Sequence, residues 1–159
     1  MQGLGILLCV TTGCVYVGGF ANGEKDGDEG LCVSKDGDFK CGKWAAGKLV
    51  SGFGRCRSHE VACTEYIGTF TGEQKDGFGK LRVGAHNYTG GWLNGVKHGC
   101  AKDTWPNGDC YCGCFKEGKM NCFGVYTWKA KNSSYEGQWK DGVMHGYGIK
   151  TTTKTDENG

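Results

Sequence analysis

A repeat of about 24 residues constrains this chain more than any other feature. Its clearest copy runs from Tyr135 to Lys150, YEGQWKDGVMHGYGIK. Tyr135, Gly137 and Trp139 alternate, so a strand places all three on one face. Asp141-Gly142 is a two-residue hairpin signal, and Gly146-Tyr147-Gly148 opens a second short run. The same grammar recurs upstream in Tyr111, Gly113 and Phe115, in Tyr88, Gly90 and Trp92, in Tyr66, Gly68 and Phe70, and in Tyr16, Gly18 and Phe20. A degenerate copy keeps Gly42, Trp44 and Gly47 but has Lys40 at the tyrosine position. Starts at 16, 40, 66, 88, 111 and 135 give steps of 24, 26, 22, 23 and 24. A fixed period in this range marks an array of small units that shelter one another.

The boundaries follow from the motif. Residues 1–15 form a half repeat, and the full units run over about 16–38, 39–64, 65–86, 87–109, 110–133 and 134–159. Leu4 to Val10 has the length of a signal-peptide core but no basic segment before it, and Gly3-Leu4-Gly5 fits the second half of a unit. The link from Arg57 to Thr64, with His59, Glu60 and Cys63, is the longest between units. The chain starts and stops inside a unit, which predicts either a longer array or ends capped from elsewhere. No window carries apolar residues at helical spacing between caps. The expectation is therefore all-β: an elongated, single-layer antiparallel meander of tandem hairpins with essentially no helix. At ~4.8 Å between strands, six two-stranded units extend roughly 55–60 Å.

A one-layer sheet must cover one face with its own side chains. Glycine at the third strand position removes a side chain, and a neighbouring ring lies in the groove. The sequence predicts that the rings lean along the sheet over the next unit's glycines, each contact contributing roughly 0.2–1 kcal/mol. Five tyrosines and six tryptophans or phenylalanines occupy the two marked positions. With Gly 31, Pro 1 and 12% aromatics, the chain is neither collagen-like nor a disordered glycine-rich segment.

The pattern Tyr-x-Gly-x-Trp/Phe, a turn glycine, then Gly-x-Gly resembles the MORN repeat, over nearly the whole chain. The resemblance implies that Tyr16, Gly18, Phe20, Trp44, Tyr66, Gly68, Phe70, Tyr88, Gly90, Trp92, Tyr111, Gly113, Phe115, Tyr135, Gly137 and Trp139 are structural. It also implies a non-catalytic scaffold or adaptor, acting through a protein partner or self-association in the cytoplasm, at the cytoskeleton or at a membrane. Other arrays of this kind are arms of lipid kinases or lysine methyltransferases, and no such catalytic domain is present here. The motifs of acyl transfer, P-loop phosphate binding and HExxH metalloproteases are all missing, so no enzyme is expected.

Net charge is +2, which calls for no nucleic acid. Lys75, Lys80, Arg82 and Lys97 are the candidates for an anionic-lipid surface, with acids interleaved among them. His98 and His145 occupy the same slot in two units and read as turn residues. Cysteine count is 11, odd and without a CxxC pair. Cys110, Cys112 and Cys114 alternate on one face, with Cys100 expected on the adjoining strand and Cys122 across the following turn. Three readings stay open for this cluster: free thiols, a disulfide such as Cys114 with Cys122, or zinc held by Cys112, Cys114, Cys122 and His98.

Overall fold

The computed structural model describes residues 2–58 and 64–153. His59, Glu60 and Cys63 of the long link lie outside the described residues. The strands run in chain order: β1 (Gly3–Cys9), β2 (Cys14–Ala21), β3 (Glu24–Val33), β4 (Phe39–Ala45), β5 (Lys48–Ser58), β6 (Thr64–Thr71) and β7 (Gln74–Val83). Then follow β8 (His86–Leu93), β9 (Val96–Thr104), β10 (Cys110–Lys116), β11 (Lys119–Trp128), β12 (Ser133–Lys140) and β13 (Val143–Thr152). They form a 13-stranded open antiparallel sheet in strictly sequential order, with β1 and β13 at its edges. A three-residue 3-10 turn at Lys129–Lys131 interrupts the strands. Leu4 to Leu8 lie in β1, paired residue by residue with β2.

The core is a single row of rings on one face. Tyr16, Tyr66, Tyr88 and Tyr111 are almost completely buried, and Phe20, Trp44, Phe70, Trp92, Phe115 and Trp139 nearly so. Glycine makes that possible. A Cβ at Gly79 would sit 2.3 Å from the Tyr66 hydroxyl, and one at Gly68 would sit 2.4 Å from it. Tyr66 thus lies flat over the glycine pair of its own hairpin, Gly68 opposite Gly79, as Tyr16, Tyr111 and Tyr135 do over theirs; in the fourth unit Ala101 replaces the second glycine. The phenol then donates to the carbonyl three residues on: Tyr66 to Thr69 at 3.0 Å, Tyr88 to Gly91 at 2.6 Å and Tyr135 to Gln138 at 3.1 Å.

The second ring corrects the expected direction. It reaches back, not forward. Trp92 lies edge-on against Tyr66 of the preceding unit at 5.5 Å, and its indole N–H donates to the Gly79 carbonyl at 3.3 Å. Trp44 does the same toward Tyr16 and Gly30, and Trp139 toward Tyr111 and Gly124. Each tyrosine therefore seals its own hairpin, and each tryptophan ties it to the one before.

Simple alternation fails at one place in every unit. The register of the first strand against its hairpin partner shifts between the glycine and the second ring, at Gly18/Phe20, Gly68/Phe70, Gly90/Trp92 and Gly137/Trp139. The bulge re-aims the second ring and adds local twist. The turns are equally regular. Asn22-Gly23, Asn94-Gly95, Glu117-Gly118 and Asp141-Gly142 all take positive φ at both corners, as type I′ turns demand. Ala46 takes φ 46° in the same corner. A left-handed alanine costs about 1–2 kcal/mol and asparagine much less. Ala46→Asn is therefore expected to stabilise the array by about 1 kcal/mol, read as a rise in the urea midpoint; an unchanged midpoint would contradict this.

Candidate functional site

The two faces of the sheet differ in kind. On the ring face, lysine side chains close the row from above. Lys25 Nζ lies 5.1 Å from the Tyr16 ring and 4.9 Å from Trp44. Lys75 sits likewise over Tyr66 and Trp92, and Lys97 over Tyr88 and Phe115. The alkyl stems cover apolar surface while the ammonium meets the negative face of each ring. Burial lowers the pKa of Lys75 and pushes the Tyr66 phenol up to about 12, as a dry, self-sealed layer predicts.

One unit departs from this scheme. In the second strand, Cys32, Cys56, Leu81 and Tyr126 each stand opposite a repeat tyrosine. The equivalent residue in the fourth unit is Asp103, opposite both Tyr88 and Tyr111 and 1% exposed. Its carboxylate accepts from His86 Nε2 at 2.5 Å and from Lys97 Nζ. His86 in turn stacks on Trp105. Sequence reading missed this site. The signal was there in an aspartate at a position that the other inner strands fill with cysteine, leucine or tyrosine, and the edge strand β13 with Lys150.

The opposite face is where chemistry stays accessible. The residue between the two closing glycines points away from the rings. In successive units it is Phe53, Phe78, Cys100, Phe123 and Tyr147, with Leu4 the counterpart in β1. Leu4 is 90% exposed, Phe78 63%, Phe123 56% and Tyr147 88%. Val17, Leu31 and Ile149 extend this apolar ladder on the same face. An exposed apolar surface of this extent is characteristic of an interaction face.

The candidate lipid residues divide between the two faces. Lys75 and Lys97 lie over the rings, and Lys97 is engaged by Asp103. Lys80 and Arg82 are exposed on the far side of β7, where Arg82 Nε donates to the Gly84 carbonyl. The structure does not bring the four into one patch.

His98 and His145 lie inside β9 and β13, which corrects their reading as turn residues. His98 Nδ1 is buried without a hydrogen-bond partner. The bulge after Gly113 sets Asn121, not Cys122, opposite Cys114. Cys122 stands in the slot of the first closing glycine and takes φ 58°. Cys112 faces Lys102 and Val125. Among the described residues no three histidine, cysteine or acidic side chains are grouped to hold a metal ion. Every described cysteine is a free thiol.

Residues 16–39, 88–110, 111–133 and 135–154 match the MORN repeat. The chain is 41% identical over 66 residues to human "Alsin", covering 39% of this chain and 4% of that protein. It is 35% identical over 72 residues to "MORN repeat-containing protein 3" of Xenopus laevis, covering 42% of this chain and 30% of that protein. It is 30% identical over 105 residues to human "ALS2 C-terminal-like protein", covering 64% and 10% respectively. The chain thus spans less than a third of the length of each. With matched hairpins over more than half its length, each opening on a buried tyrosine, this chain belongs to the MORN repeat family.

Proposed function

We propose that this chain is a non-catalytic interaction scaffold that docks a protein partner, or a second copy of itself, on the face opposite the rings. The observation that carries the proposal is the ladder of Leu4, Phe53, Phe78, Phe123 and Tyr147, exposed on one face in β1 and in four of the six units. A solenoid surface of this sort binds extended partners through many similar contacts. The free thiols suit a reducing compartment such as the cytoplasm.

A photo-crosslinking amino acid placed at position 78, and in a second variant at Lys48 beside a turn, tests the proposal. Protein adducts, to a second copy in pure samples or to other chains in extract of the source cells, are expected from position 78 and not from position 48. Equal labelling from both would overturn the docking face. The same protein is mixed with vesicles containing anionic phospholipid at physiological salt. Vesicle binding that weakens with added salt, without adducts at position 78, would favour a membrane-surface role instead.

A further inference from the structure

We propose that Cys100 and Cys114 form a peroxide-driven, reducible crosslink that staples the fourth unit to the fifth across the β9–β10 seam. Three observations carry it. Cys100 and Cys114 are directly opposed in the register of β9 and β10. Their sulfurs are 3.9 Å apart. Cys100 is exposed, in the centre of the apolar ladder, where a small oxidant reaches it.

The register excludes the neighbouring thiols. Cys110 faces Thr104 and Thr127, Cys112 faces Lys102 and Val125, and Cys122 faces Trp139. Among the described residues the other directly opposed pair is Cys9 and Cys14, in the first hairpin. There the sulfurs turn away, Cys9 to the Thr11 hydroxyl at 3.2 Å and Cys14 to the Thr12 carbonyl. Opposed residues of an antiparallel pair have Cα atoms about 4.5–5.5 Å apart, inside the window of about 4.4–6.8 Å that a disulfide spans. Bond formation therefore asks for side-chain rotation, with the backbone in place. Burial, and then the neighbouring Cys100, raise the pKa of Cys114, which leaves the exposed Cys100 as the thiol that meets the oxidant first.

The chemistry balances. The Cys100 thiolate attacks one oxygen of hydrogen peroxide, the O–O bond breaks, and the departing hydroxide takes up the proton the thiol released. The Cys114 sulfur then attacks the Cys100 sulfenic acid. The S–S bond forms, the S–O bond breaks, and the oxygen leaves as water with the Cys114 proton. Two thiols lose two electrons and two protons, and one peroxide becomes two waters. In a sheet whose strands pair only with chain neighbours, the link holds one unit boundary closed.

The test treats the whole chain with stoichiometric hydrogen peroxide, blocks remaining thiols and maps tryptic peptides without reduction. Residues 98–102 are expected to be joined to residues 103–116, with fragmentation placing the bond at Cys114, and dithiothreitol is expected to release it. The closed loop holds the 15 residues from Cys100 to Cys114, so the melting midpoint is expected to rise by about 5–10 °C on oxidation. Cys100→Ser and Cys114→Ser should each lose both the link and the rise, and Cys112→Ser should keep both. A bond from Cys100 to Cys112, a link between chains, or over-oxidation of Cys100 without a bond would overturn the proposal. A correct bond with no rise in midpoint would overturn its role as a staple. Were Cys114→Ser to fail to fold, Cys100→Ser, altered at an exposed sulfur, gives the same reading.

Discussion

Gly79→Ala is expected to destabilise the array by about 2–3 kcal/mol, although it adds one methyl group. Gly79 lies in extended backbone, so the strain is purely steric. The new Cβ would stand 2.3 Å from the Tyr66 hydroxyl and 2.5 Å from two of its ring carbons. Tyr66 cannot move aside, because its hydroxyl is bound to the Thr69 carbonyl and its ring is held edge-on by Phe70 and Trp92. Overpacking of a close-packed core costs typically about 1–3 kcal/mol. Tyr66→Ala alone is expected to cost about 3–5 kcal/mol, as for other large buried rings. The double variant should cost clearly less than the two singles added, because removing the ring removes the clash. Urea denaturation followed by tryptophan fluorescence and far-ultraviolet circular dichroism measures all three. Strict additivity would mean that ring and glycine are not in contact, and the account of the core would fail with it. The loss is expected to concentrate in the third and fourth units, since each hairpin contacts only its neighbours.

Lys97→Met and Asp103→Leu are expected to act in opposite senses on the same buried pair. Removing Lys97 leaves the Asp103 carboxylate 1% exposed, with His86 as its remaining partner. Breaking a buried pair from one side costs about 3–5 kcal/mol. Removing Asp103 instead recreates what the third unit already has. There Lys75 lies over Tyr66 and Trp92 with Leu81 in the slot that Asp103 fills here. Asp103→Leu should therefore be neutral or mildly stabilising, and the double variant close to it. Equal losses from both single variants would show that the pair is a net contributor, and the comparison between units would be void. Melting curves of the three variants at pH 7 settle the order.

How much of this was legible beforehand differs between fold and surface. Periodicity alone showed the hairpins, their order and the rings of the core, because tyrosine, glycine and the turn dipeptide each answer a local demand; Leu49 and Asp103, also buried, it did not show. A strand face, a missing Cβ and a positive φ are set within a few residues, as in Tyr66, Gly68 and the Asn94-Gly95 corner. The direction in which Trp92 leans was not legible, since it depends on a bulge that recurs at Gly90/Trp92 and re-aims the ring. The equivalent shift at Gly113/Cys114 set Asn121, in place of Cys122, opposite Cys114. The candidate lipid residues divide between two faces in space, because residues of a strand alternate between its faces.

The chain by itself determined a tandem array of strands with rings laid over glycine, since every unit repeats the same local instructions. Only the tertiary structure decided which thiol meets which, how Asp103 is neutralised, and which face stays open. These depend on register between strands, and register is a relation between residues that no single stretch of chain contains.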